Sequence, residues 1–257
     1  MLQGNHWVTQ IDKSSFVDRY KHIISNLMTV YLLNDSLVFP DPRDAETNGL
    51  LAVGGDLSID RLLLAYKSGI FPWYSEGDPI MWFSPDPRLV LFLDDLYVST
   101  KLKKIIRSNI FEVRFDTSFH DVITQCSRTD RRGQDGTWIT DEMVKAYVKL
   151  HEKGYAHSVE IFHDGKLVGG LYGVSLGGAF FGESMFFEMT NASKVALYHL
   201  VERLRSWDFD FVDSQVPNDH MKGLGGTELE KGEFLLRLES SLRKKTILGN
   251  WGDINIK

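Results

Sequence analysis

Apolar positions along the chain change period several times, and each change marks an element. Ile59, Leu62, Leu63 and Tyr66 recur at the spacing of one helical face, with Ser58 placed to cap that helix and Gly69 to end it. The same spacing predicts a short helix at residues 100–107 and another at 119–126. A further helix starts at the cap Thr140, carries Val144, Tyr147, Val148 and His151, and stops at Gly154. Beyond Gly154 the text turns strand-like. Residues 157–162 and 166–174 are joined by Asp164-Gly165, a strong two-residue hairpin signal, and a turn at 175–178 leads into a third run at 179–186. Asn191 is placed to cap a long helix reaching Trp207. Residues 209–216 read as a further strand, 218 and 223–226 as loop, and 233–244 as a last helix. A helical crossover between the third and fourth runs predicts that these two strands lie parallel.

The first half is less regular. Residues 28–55 read as loop, punctuated by Pro40, Pro42, Asn48 and Gly49. Residues 71–95 carry Pro72, Pro79, Pro85 and Pro87 among Trp73, Tyr74, Trp82 and Phe83, a rigid aromatic connection leading into a strand at 89–93; another strand follows at 111–115. The expected class is α+β with a mixed sheet: an extension at 1–27, a small N-terminal α/β domain at 28–95, and a C-terminal domain at 96–257. The extension shows only Phe16, Tyr20, Ile23, Ile24 and Leu27 at helical spacing, and no chemistry is assigned to it.

Composition narrows the function classes. A net charge of -6 argues against indiscriminate nucleic-acid binding while leaving room for a local basic patch. The single cysteine, Cys126, shares helical spacing with Phe119, Val122 and Ile123, so it reads as core and cannot form an internal disulfide. No apolar run approaches the roughly 20 residues of a spanning helix, and the polar start lacks a signal-peptide core, so a cytoplasmic protein is expected with no membrane partner.

Nucleotide and metal motifs fail on spacing. Gly169, Gly170 and Gly173 do not make a dinucleotide fingerprint, and Gly223, Gly225 and Gly226 lack the Lys-Ser/Thr of a phosphate loop. His151 and His157 flank a helix stop, so no metal site is predicted. The informative residues are polar ones inside apolar runs: Glu183 beyond Ala179-Phe180-Phe181, and Asp213 and Gln215 two apart on one expected strand face. A carboxylate there costs several kcal/mol unless partnered, which points to a site or to a buried polar network. Lys101, Lys103, Lys104 and Arg107 form a run without acids, and Arg128, Arg131 and Arg132 precede Trp138. Cations holding phosphates beside a ring that stacks a base would suit a single-stranded RNA end, with Trp73 and Trp138 as candidate rings; solvated charges and core aromatics are the plainer alternative.

Taken in order, the motifs resemble the leucyl/phenylalanyl-tRNA protein transferase family. They are NGLLAVGGDLS (48–58), GIFPWYSEGDPIMWFSPDPR (69–88), GTWIT (136–140), HSVE (157–160), LVGGLYGV (167–174), FGESMF (181–186), NASK (191–194) and DSQVPNDH (213–220). The resemblance runs from about residue 28 to 244. Gly223 stands where Ser is common, Thr100 where an Arg can occur, and residues 1–27 have no family counterpart.

The resemblance implies a GNAT-like acyltransferase domain and transfer of Leu or Phe, less readily Met, from aminoacyl-tRNA. The acceptor would be the α-amine of a protein beginning with Arg or Lys, thereby marked for N-end rule degradation. It implies Asp213, Gln215 and Glu183 at the reacting centre, with Glu183 on the donor amino group. Trp73 and Trp138 would sandwich the terminal adenine, and Leu171, Phe180, Met185, Leu197 and Val212 would line the donor side-chain pocket. Lys101, Lys103, Lys104 and Arg107 would meet tRNA phosphates. No cofactor is expected, because an aminoacyl ester is already activated, and a monomer is expected. A CoA-dependent N-acetyltransferase and a tRNA-binding module without catalysis are the two readings from other classes. The first is disfavoured because residues 187–192, FEMTNA, lack a glycine-rich pyrophosphate loop.

Overall fold

Three residues, β1 (Tyr31–Leu33), run parallel to β2 (Leu50–Gly54) and open the first of two sheets. The computed structural model describes residues 30–129 and 138–254, which cluster into two units divided between Asp86 and Pro87. Within the first unit, β3 (Phe71–Pro72) and β4 (Met81–Phe83) complete a four-stranded sheet in the order β1-β2-β4-β3. Helix α1 (Ile59–Lys67) lies between β2 and β3 in the chain; the Ser58 side-chain oxygen accepts from the Arg61 amide at 3.4 Å, and Gly69 takes a φ of 72° beyond its end. Arg61 is buried and donates to Asp56 and to the Ser36 and Asn34 carbonyls, so this cation fastens the loop after β1.

The strands of this sheet replace the loop expected at 28–55 and much of the rigid connection expected after Phe71. They are two to five residues long, too short to show a period, and pairing with partners elsewhere in the chain, such as Tyr31 with Ala52 and Leu50 with Phe83, fixes them. β2 is buried on both faces, so Leu50, Leu51, Ala52 and Val53 form an unbroken apolar run and show no alternation.

The second unit contains β5 (Arg88–Phe92), α2 (Thr100–Arg107), β6 (Glu112–Phe115), α3 (Phe119–Arg128), α4 (Asp141–Glu152), β7 (Ala156–His163), β8 (Lys166–Leu176) and β9 (Ala179–Phe187). It continues with α5 (Ala192–Ser206), β10 (Phe211–Asp213), α6 (Asp219–Lys222), β11 (Thr227–Leu229) and α7 (Lys231–Ser241). Seven strands pair in the order β11-β5-β10-β9-β8-β7-β6, a mixed α+β sheet as expected. The meander β7-β8-β9 is antiparallel, its first turn made by Asp164 and Gly165 at φ 49° and 73°. After the α5 crossover β10 lies parallel to β9, as the connection predicts. The division between the units falls before β5, whereas the sequence pattern puts a boundary after residue 95: β5 pairs with β10 and β11 and so belongs to the second sheet. Between and after the residues expected as loop, 219–222 form α6 and 227–229 pair as β11, two short elements to which the sequence pattern assigned no structure.

One part of the core lies between this sheet and α5. Leu91, Val159, Ile161, Leu171, Phe180 and Val212 meet Val195, Leu197, Leu200 and Val201 of α5 in one buried cluster. Cys126 is buried, as expected. The HSVE stretch becomes a polar network beside this core. Asp116 accepts from the His157 ring, the Ser158 amide and the Trp251 amide at 2.7 to 2.8 Å, and His157 stacks on Trp251. Among the described residues no helix is long and apolar enough to cross a membrane.

Candidate active site

The site forms where β9 and β10 part. Their pairing runs Phe211 with Ala179, Val212 with Phe180 and Asp213 with Phe181, and stops there. On its other side β9 pairs Gly182 with Gly173 and Ser184 with Tyr172, so Glu183 is an extra residue without a partner position on β8. Such a bulge bends the strand and re-aims one side chain. Gly173 makes the close approach possible: a Cβ there would sit 2.2 Å from the Phe181 carbonyl oxygen.

Gln215 lies off the strand. β10 ends at Asp213, and Gln215 takes a left-handed φ of 55°, which corrects the expected strand at 209–216 and with it the argument that positions 213 and 215 share a strand face. A residue with a side chain pays about 1–2 kcal/mol for that conformation, so its surroundings must hold it. They do: the Gln215 amide donates to Asp213 Oδ1 at 2.9 Å, and its carbonyl accepts from the Leu89 amide at 3.2 Å.

From there a continuous polar chain crosses the opening. Gln215 Nε2 donates to Glu183 Oε1 at 3.1 Å, and Tyr147 of α4 donates its hydroxyl to Glu183 Oε2, also at 3.1 Å. At the other end Arg88 grips Asp213 through two parallel bonds, Nε to Oδ1 at 2.9 Å and Nη2 to Oδ2 at 2.6 Å, both residues being fully buried. Leaving either charge there unpaired would cost about 3–5 kcal/mol. Glu183 is only half-buried, so in this chain it is the more accessible of the two carboxylates. The arrangement offers an amide that can donate and accept, aimed by its own backbone, beside a hydrogen-bonded carboxylate at a strand opening.

Three of the sequence-derived groups can be placed against this geometry. Asp213, Gln215 and Glu183 are brought together. Leu171 stands across from Met185 and Phe180 across from Val212, and these four share one cluster with Leu197 of α5; Met185 is its half-exposed member, while the others are sealed at 1 to 3%. Lys101, Lys103, Lys104 and Arg107 are all exposed on α2, which the Ser99 side chain caps. The two tryptophans belong to different units: Trp73, half-buried, packs on Phe83 at 5.6 Å in the first, and Trp138 is half-buried ahead of α4 in the second. Arg131 and Arg132 lie outside the described residues, as does the 1–27 extension.

Sequence reasoning missed Arg88 and the polar role of Tyr147. Arg88 stands in SPDPR, which reads as a proline-rich turn, and Tyr147 sits at an apolar helical position; neither position advertises a buried carboxylate partner. Asn191 precedes α5 with a φ of 72° and no side-chain capping bond, so it supplies a left-handed entry to that helix.

Comparison with known proteins gives consistent matches. The sequence model described as leucyl/phenylalanyl-tRNA protein transferase matches residues 90–239, and that of the N-terminal domain of the same family matches residues 55–86. A leucyl/phenylalanyl-tRNA--protein transferase of Nitratidesulfovibrio vulgaris strain DP4 is 53% identical over 225 residues, covering 87% of this chain and 96% of that protein. One from Myxococcus xanthus is 53% identical over 226 residues, covering 87% and 97%. Solved structures with some likeness include L-PGS from Bacillus licheniformis, 12% identical with a TM-score of 0.35 over 66% of this chain and 54% of that one. A GCN5-related N-acetyltransferase from Kribbella flavida is 10% identical with a TM-score of 0.35 over 65% and 59%.

Proposed function

The chain belongs to the leucyl/phenylalanyl-tRNA protein transferase family and is an aminoacyl-tRNA-dependent aminoacyltransferase, and on that premise we propose which amine it acylates and how. It moves Leu or Phe, and less readily Met, from aminoacyl-tRNA to the N-terminal α-amine of a protein beginning with Arg or Lys, feeding N-end rule degradation in the cytoplasm. The observation that carries this reading is the chain Gln215–Glu183–Tyr147 across the opening between β9 and β10.

The reaction needs no activation step. The acceptor nitrogen attacks the ester carbonyl, a C–N bond forms, the C–O bond to the ribose breaks, and the amine proton ends on the departing ribose oxygen. An α-amine with a pKa of about 7.7–8.0 is partly neutral near neutral pH, so positioning and hydrogen bonds to the developing oxyanion can supply much of the rate. Gln215 offers that hydrogen bond or relays the proton. Asp213 orients Gln215, and Glu183 receives the donor amino group. The donor side chain is taken beside Met185, the half-exposed member of the cluster with Leu171, Phe180, Leu197 and Val212, and in this reading Leu, Phe and Met are accepted while β-branched Ile and Val are disfavoured. Trp73 and Trp138 are the stacking candidates for the terminal adenine, and the α2 cations serve the tRNA phosphates.

The test follows a label. Phe-tRNA carrying labelled Phe is incubated with peptides beginning with Arg or with Ser. The proposal expects labelled Phe in amide linkage on the Arg peptide alone; label released only as free Phe, or transferred equally to both peptides, would overturn it.

A further inference from the structure

The two carboxylates of the site are treated unequally by the fold. Glu183 faces the opening and is held by neutral donors, Gln215 and Tyr147. Asp213 is fully buried and both its oxygens are engaged by the guanidinium of Arg88, itself fully buried and laid over the Phe234 ring of α7 at 4.6 Å. The buried pair is neutral as a whole, so it draws a cationic acceptor far less than a lone carboxylate would.

What Asp213 does offer is direction. Its Oδ1 accepts the Gln215 amide hydrogen, while Leu89, the residue after Arg88, donates to the Gln215 carbonyl and accepts from the Ser214 amide. Two consecutive residues of β5 therefore hold both peptide groups of a residue in the left-handed region, one through Asp213 and one directly. The direction of the Gln215 side chain toward Glu183 follows from that backbone. A bidentate guanidinium fixes the carboxylate plane, which a single ammonium cannot do.

We propose that Arg88 is a positioning residue for the transfer step: by locking Asp213 as the acceptor of the Gln215 amide hydrogen, it aims the Gln215 side chain, and it takes no part in binding the acceptor. This deepens the proposed reaction and rests on it. Asp213 thereby has an orienting task only, and acceptor affinity is independent of the Arg88–Asp213 pair.

The experiment compares the whole protein with Arg88→Lys and with the double variant Arg88→Gln, Asp213→Asn. The lysine keeps a charge beside Asp213 but loses the second parallel bond. The double variant leaves no buried charge unpaired, which protects the fold where a single Arg88→Gln would endanger it. Thermal unfolding, affinity for an aminoacyl-adenosine analogue, and kcat and acceptor KM with Phe-tRNA and an Arg-starting peptide are measured for each. Both variants are expected to remain folded and to bind the analogue as the parent does, with kcat at least about tenfold lower and acceptor KM within about twofold. Near-normal kcat in either folded variant overturns the inference, as does a change confined to acceptor KM, which would make the pair an acceptor-binding element. Absence of transfer by the unmodified protein would strike the proposed reaction itself and is read separately from the variants.

Discussion

Tyr147 packs edge-on against Tyr172 and spends its hydroxyl on Glu183, so ring and oxygen have separate tasks. Tyr147→Phe keeps the packing and deletes one hydrogen bond to a carboxylate, a bond worth about 1.5–3 kcal/mol when the acceptor is charged. Transfer should slow by about tenfold or more with little change in melting temperature, as initial rates and thermal unfolding would record; an unchanged rate would remove Tyr147 from the site. At this scale the sequence was informative wherever a polar residue interrupted an apolar run. Glu183, Asp213 and Gln215 stood out for that reason. Arg88 did not, because a cation beside prolines looks like a surface turn until its partner, 125 positions away, is known.

Elements show a different balance. The antiparallel meander was legible because β7, β8 and β9 are eight to eleven residues long and Asp164-Gly165 marks a turn. β10, three residues long, was not bounded correctly, since Ser214, Gln215 and Val216 continue a strand-like mix of polar and apolar residues past the point where pairing stops. β7 also contains a titration that only the fold creates. Burial of Glu160 between Thr117 and Ser158 pushes its carboxyl up to about 7 from an ordinary 4.5, with Asp116 adding to the rise against the hydrogen bonds that oppose it. A raised folded-state value means that the native protein keeps a proton the unfolded chain has released. Stability from this group is therefore full below pH 4.5, falls as pH rises, and is lost by about pH 7, a change of about 3 kcal/mol at most. His157 acts oppositely: burial lowers its value below 6.5, so its contribution is lost as pH falls. Glu160→Gln should flatten the Glu160 part of the profile, making the variant relatively more stable toward neutral pH in urea unfolding. Parallel profiles for the two proteins would show that Glu160 does not titrate in this window.

For the whole molecule, a net charge of -6 coexists with four exposed cations on one helix, α2. Neutralising Lys101, Lys103, Lys104 and Arg107 together should weaken full-length aminoacyl-tRNA and reduce the salt slope of binding by roughly one for each phosphate no longer neutralised, while an aminoacyl-adenosine analogue binds as before. Equal weakening for both ligands would show that these cations do not act through phosphates. At this scale fold class and family were readable from ordered motifs, whereas the small sheet of the first unit was not, because its strands are defined by pairing alone. The central claim is that transfer occurs where Gln215 faces Glu183 at the end of the β9–β10 pair. Its most direct test is a single-turnover measurement with saturating labelled Phe-tRNA and an Arg-starting peptide, comparing the protein with its Gln215→Ala variant. The account predicts label on the peptide N-terminus at a rate about 10²-fold lower in the variant, with donor-analogue affinity unchanged; a near-normal rate in a folded Gln215→Ala protein would contradict it.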